Sequence, residues 1–190
     1  MKTESKLTHD ESLAIITDMI QTTKGNLKEG SFYFLLWGWI VLIANLGHFA
    51  IIEFTNYPHP YYIWFITVIG WIISMIYGFR KSKKAKVRTY SDYLIMWIWI
   101  GLTICALIII FSGQFVTSIS ALILLLVGMS TFISGLIIRF RPIVLGGASF
   151  WAFAIICLIV GPVYALLVSA FAIIVGYLIP GYLLKKSSHE

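Results

Sequence analysis

The sequence predicts an all-α fold, a polytopic bundle of six transmembrane helices, and three observations carry that expectation. The first is where charge is absent. Phe54 to Phe79, Tyr93 to Ile138 and Ile143 to Leu184 contain no Asp, Glu, Lys or Arg, and roughly 20 apolar residues in a helix cross a hydrocarbon core about 30 Å thick. The second is composition. A mean hydropathy of +0.91, with 59% hydrophobic and 12% charged residues, compares with about 25% charged in soluble domains. A chain of 190 residues could not hide that much apolar surface in a water-soluble core. The third is that cations come in clusters beside the apolar runs, above all Arg80, Lys81, Lys83, Lys84, Lys86 and Arg88.

In chain order, residues 1–30 are polar and mixed in charge and lack the apolar region of a signal peptide. Leu13, Ile16, Met19, Ile20 and Leu27 recur there at helical spacing, which predicts a short amphipathic cytoplasmic helix. Asp10 or Ser12 would cap it and Gly25-Asn26 would end it. Its stripe suits the inner face of the bilayer, the ends of the spans, or a cytoplasmic protein partner. Span one covers about 32–52 and opens on an aromatic belt. The connector after it carries Glu53, Asn56, Pro58, His59 and Pro60 and no cation. Span two covers about 62–79, span three about 93–111 and span four about 116–138, with Ser112-Gly113-Gln114 between the last two. The 42 uncharged residues from Ile143 to Leu184 would make one helix about 63 Å long, twice the bilayer core. They must fold back, and Gly161-Pro162 is the break. Spans five and six follow at about 144–160 and 163–184, before a 185–190 tail.

Six spans place all fourteen Lys and Arg residues in the two tails and the second and fourth connectors, which share one side. The positive-inside rule makes that side cytoplasmic, which predicts a multi-pass protein of the cell's inner (cytoplasmic) membrane with both termini inside. The formal charge of +6 therefore reads as anchoring at an anionic leaflet through Arg80, Lys81, Lys84, Arg139 and Arg141 rather than as binding to nucleic acid.

Ser31-Phe-Tyr-Phe-Leu-Leu-Trp-Gly-Trp-Ile40 and Ser91-Asp-Tyr-Leu-Ile-Met-Trp-Ile-Trp-Ile100 match in Ser, Tyr, Trp, Trp and Ile at an offset of sixty. The match suggests three tandem αα-hairpins; recurring interfacial aromatics would give the same pattern. Rows of small residues, Ala165, Ser169, Ala172 and Gly176 in span six and Ala148 and Ala152 in span five, mark close helix contacts, with Gly70 and Gly78 candidates in span two. Pro180 should kink the end of span six. Cys105 and Cys157 read as small buried hydrophobes.

Polar groups within the membrane are costly, so they are candidates for function. Asn45 and His48 share a face of span one, with Glu53 at its outer end and His59 in the same connector. They suit a ligand or ion site open to the outer face. The plainer reading makes Asn45 an interhelical hydrogen bonder and His48 an interfacial group, and the irregular spacing is not that of a metal centre. Trp37, Trp39, Trp97 and Trp99 could stack on a ligand, but tryptophan at a span end is usually an anchor. Residues two apart on a helix also diverge, so at most one of each pair faces inward. No nucleophile with a base, no pair of catalytic carboxylates, no phosphate loop and no cofactor-binding motif can be assembled, which argues against an enzyme.

Glu11-Ser12-Leu13, Met19-Ile20 and the Trp-Gly-Trp of Phe32 to Trp39 resemble a group of small six-span bacterial inner-membrane proteins of unknown function. That resemblance implies the six-span fold and no activity. The Pro-x-Asp/Glu-x-x-Lys/Arg motif of mitochondrial carriers is absent from spans one, three and five. Two functional readings follow. One is a membrane sensor or scaffold acting through the helix of Leu13, Ile16, Met19 and Ile20. The alternative is a small transporter or channel, homo-oligomeric, with the Asn45 group lining its outer half.

Overall fold

The computed structural model describes the backbone of residues 9–82, 90–113 and 118–187, and the side chains in these ranges except those of residues 9–29 and 81–82. Lys84 and the side chains of Lys81, Leu13, Ile16, Met19 and Ile20 lie outside what is described. The described residues form helices and no strand: α1 (His9–Phe54), α2 (Ile66–Ser82) entered through a 3₁₀ segment (Pro60–Phe65), α3 (Tyr90–Ser112), α4 (Ile119–Ile138), α5 (Arg141–Ile159), α6 (Pro162–Ile173), a π turn (Ile174–Leu178) and α7 (Ile179–Ser187). Six helical stretches are long and apolar enough to cross a membrane: Gly30–Phe54, Pro60–Arg80, Tyr90–Ser112, Ile119–Ile138, Arg141–Ile159 and Pro162–Ser187. The chain is a multi-pass integral membrane protein built as an all-α bundle. Most spans reach a few residues beyond the expected limits, because polar residues at a helix end continue its hydrogen-bond ladder.

One expected boundary is absent. Gly25-Asn26 does not end the N-terminal helix, which runs without interruption into the first span over 46 residues. Glycine inside a helix costs about 1 kcal/mol relative to alanine, too little on its own to end a helix. The first proline of the chain is Pro58.

Burial is not shared in threes. Half of the apolar window of Pro162–Ser187 is buried in the bundle, against 6% for Pro60–Arg80 and 0% for Tyr90–Ser112. The core is made by α1, α4, α5 and the α6–α7 span, through Phe34, Leu42, Leu124, Ile143, Phe150, Ala154, Ala172, Tyr177 and Leu184 among others. Helix α2 packs on α1, and α3 on α4. The sixty-residue match does not survive as structural equivalence either. Trp37 and Trp99 are the half-buried pair packed on the core, while Trp39 and Trp97 are 46% and 52% exposed. Residues equivalent in the match, Trp37 with Trp97 and Trp39 with Trp99, thus point opposite ways.

Within lipid, helices associate by close packing of small residues, and α4 and α5 do so at backbone contact. A Cβ placed on Gly128 would lie 3.0 Å from the Gly147 carbonyl oxygen, one on Gly135 would lie 2.7 Å from the Val144 nitrogen, and one on Gly147 would collide with the Phe132 backbone. The two helices are joined by a tight turn in which Arg139 takes the left-handed conformation (φ 59°, ψ 38°). Phe140 N–H donates to the Gly135 carbonyl at 3.0 Å and Arg139 N–H to that of Leu136 at 3.2 Å, the Schellman pattern. On α5 the buried row is Ile143, Gly147, Phe150, Ala154 and Cys157, spaced four and three apart. Ala148 and Ala152 lie off this row, and Ala152 is exposed. The α6–α7 row is as expected, with Ala165, Ser169, Ala172 and Gly176 buried, and Gly70 is seated on Ile40 and Trp37. Cys157 is buried but Cys105 is exposed, because it lies off the half-buried face of α3 that carries Ile98, Trp99, Leu102 and Ala106.

Pro180 acts where expected. It offers no N–H to the Gly176 carbonyl, and its ring would strike that carbonyl in a regular helix. The chain widens into the π turn immediately before it. The freed carbonyl faces α5, where a Cβ on Gly146 would stand 2.5 Å from the Gly176 oxygen and 2.9 Å from the Pro180 ring. Tyr177 lies within this π turn and is part of the core.

Candidate functional site

Among the described residues, polar side chains gather at the end where α1 meets the 3₁₀ segment and in the interior around Tyr177, apart from single contacts elsewhere. At the first, α1 ends at Phe54, and Pro60 at the head of the 3₁₀ segment sets the turn back toward α2. This return lays Trp64 against α1. Its Nε1–H donates to Nδ1 of His48 at 3.0 Å, with the rings nearly perpendicular at 87°. An indole nitrogen only donates, so Nδ1 is unprotonated here and the neutral ring carries its proton on Nε2.

The other members of the expected cluster go elsewhere. Asn45 is 3% exposed, and its Nδ2 donates to the Val41 carbonyl of its own helix at 2.9 Å. Glu53 is exposed in the last turn of α1. His59 is exposed in the connector, with its Nδ1 2.8 Å from the Tyr61 hydroxyl and its ring against Tyr57 and Tyr62. His48 and His59 thus each bond an aromatic neighbour. Among the described residues no group of three or more His, Cys, Asp or Glu could hold a metal ion.

The tryptophans are bonded parts of the scaffold. Trp37 donates to Ser74 Oγ at 3.2 Å and meets Trp71 edge-on at 5.6 Å, which joins α1 to α2. Trp39 donates to the Tyr182 hydroxyl at 3.2 Å, which joins α1 to α7. Trp99 meets Phe34 and Tyr177 edge-on, and Trp97 lies beside Tyr93 on the outer surface of α3. Arg80, Arg139 and Arg141 are exposed at span ends, where cations meet water and headgroups.

The interior site was not anticipated. Tyr177, 4% exposed, is ringed by Phe34, Phe150 and Trp99 at centroid distances of 5.0, 5.7 and 6.3 Å. Its phenol faces the side chain of Thr131. Thr131 is fully buried, and its Oγ1 forms no well-aligned hydrogen bond. Nearby spans satisfy their polar groups locally: Ser134 Oγ donates to the Ser130 carbonyl at 2.7 Å and Ser149 Oγ to that of Gly146 at 2.7 Å. The Cys157 thiol lies 3.7 Å from the Ala165 carbonyl oxygen and 3.8 Å from Ser169 Oγ. These groups neighbour hydroxyls and carbonyls, a setting for helix packing rather than for activating a nucleophile. The signal that could have found the Tyr177 site is Tyr177 itself, three residues before Pro180 in an otherwise apolar run.

Comparison of the chain with protein-family models, with curated proteins and with solved structures finds no match in any of the three.

Proposed function

We propose that the protein is a non-catalytic sensor or scaffold of the bacterial inner membrane, with both termini cytoplasmic, and that it acts through the N-terminal part of α1. The observation that carries this reading is the continuity of α1. Among the described residues the span begins at Gly30, and the helix continues N-terminal of it back to His9, 21 further residues or about 32 Å of helix. Leu13, Ile20, Leu27, Phe34 and Val41 follow at seven-residue steps. Such a row drifts by about 20° per heptad on a straight helix, about 60° from Leu13 to Phe34, so in sequence register the apolar row of the extension leads into Phe34. Phe34 is buried against Tyr177. A partner that turns or shifts the extension would move Phe34 in the core, and a change in the bundle would turn the extension.

The test uses the full chain in its native membrane with a photo-crosslinking side chain at one position at a time. Adducts with a cytoplasmic protein are expected from positions 16 and 20. None is expected from position 18, on the opposite side of the helix. Adducts that ignore this phase, or that persist equally from all three positions, would sink the reading.

The Thr131 hydroxyl, buried beside Tyr177 without a well-aligned hydrogen bond, favours a second reading, a small transporter or channel of homo-oligomeric form. A passing water or polar solute would satisfy that hydroxyl, with Asn45, His48 and Glu53 on the outer half of the path. Flux in reconstituted vesicles that is unchanged by Asn45→Ala and His48→Ala removes it.

A further inference from the structure

We infer that the bundle carries a specific site for one anionic phospholipid, in a groove between α1, α2 and α7 at the end of the bundle where the cations collect. The groove has a volume of about 470 Å³ and runs along α1 from Ser31 to Ile43. Twelve residues of helix span about 18 Å, close to half of a hydrocarbon core of about 30 Å. It therefore has the depth of one leaflet.

Its polarity is graded in the same direction. Lys185, in the last turn of α7, stands at the mouth, where Gly30 packs on Leu184 and brings the ends of α1 and α7 together. Part of the way down, the hydrogen bond from Trp39 to the Tyr182 hydroxyl closes one wall. The floor beyond is apolar, with Leu36, Ile40 and Ile43. Arg80 lies one helical turn beyond Tyr77, which lines the α2 side, and among the described residues none that lines the groove is acidic. Such a cleft fits an upright lipid, with its phosphate at Lys185 and one acyl chain against Ile40 and Ile43. Annular lipids touch the whole outer surface of a bundle. This occupant is set apart by a cation at headgroup level and by an aromatic hydrogen bond that shapes the slot. The inference stands apart from the sensor reading, because it needs only the groove and its charge.

The test is native mass spectrometry of the purified full-length protein in detergent, titrated with phosphatidylglycerol or with phosphatidylethanolamine of the same chains. One phosphatidylglycerol is expected to bind more tightly than phosphatidylethanolamine. Lys185→Gln should weaken phosphatidylglycerol about fivefold, the fold-change that goes with roughly 1 kcal/mol for one cation at a membrane surface, and should leave phosphatidylethanolamine unchanged. Leu36→Trp, which fills the slot without changing charge, should weaken both lipids. Lys186 lines a separate depression with Phe140 and Leu183, so Lys186→Gln should change neither. Equal binding of the two lipids, equal effects of the two lysine substitutions, or no effect of Leu36→Trp would each overturn the site.

Discussion

Trp64 Nε1 donates a 3.0 Å hydrogen bond to His48 Nδ1, and this contact ties the return segment after the first span to the last two turns of α1. The two residues are sixteen apart in sequence and meet because Pro60 starts a 3₁₀ segment rather than extending the connector. A neutral hydrogen bond of this kind contributes about 1 kcal/mol. Trp64→Phe and His48→Phe should each lower stability by about that amount or more, and the double variant should lose less than the sum. Reversible unfolding of the purified protein in mixed micelles measures the cycle. Strictly additive losses would show that the bond does not couple the two segments.

The contact between Gly146 and Gly176 makes a harsher demand. A Cβ on Gly146 would meet the Gly176 carbonyl oxygen at 2.5 Å, whereas one on Gly101 meets nothing within 4 Å. Over-packing at a tight contact costs typically 1–3 kcal/mol, so about 2 kcal/mol or more is expected for Gly146→Ala. Gly101→Ala should be neutral or slightly stabilising, since alanine suits a helix better than glycine. The same unfolding assay compares them, and equal effects at the two positions would refute the close crossing of α5 and the π turn.

Thr131 differs, because its hydroxyl is buried without a well-formed bond. Replacing an unsatisfied buried hydroxyl by a methyl group of similar shape removes a penalty of about 1 kcal/mol or more. Thr131→Val should therefore leave stability unchanged or raise it. A clear loss would mean that the Tyr177 phenol and Thr131 hold a strong bond in the membrane.

The span count, its order and most span limits were legible in the sequence, since charge-free runs and the break at Gly161-Pro162 follow directly from the thickness of a bilayer. The site was legible only in part. His48 and Asn45 stood out as polar residues in an apolar span, but their partners depend on how segments fold back, and nothing local in Trp64 announces His48. The matching Trp motifs did not reveal which tryptophans face inward, because tryptophan is favoured at any interface, whereas inward or outward facing is set by helix rotation. The stop at Gly25-Asn26 was misplaced because glycine weakens a helix by a local amount that flanking turns overcome. The groove at Lys185 joins residues more than a hundred positions apart and has no sequence signature.

Orientation rests on the cation rule and can be measured apart from the fold. In a background without Cys105 and Cys157, single cysteines at Asn56, Gly113 and Gly161 should react with an impermeant maleimide applied outside intact cells. Cysteines at Arg80 and Arg141 should react only after the membrane is opened. Labelling of Arg80 and Arg141 positions from opposite sides would contradict an even number of crossings between them.

The continuity of α1 from His9 to Phe54 underlies the link between extension and core, and a distance within that helix tests it most directly. Spin labels at Ser12 and Ile43, in the background without native cysteines, are 31 residues apart, which is about 47 Å along a straight helix. Pulsed electron resonance on the reconstituted protein should give one narrow distribution near that value. A broad distribution, or one centred well below it, would show a joint between extension and span and would contradict transmission through Phe34 to Tyr177.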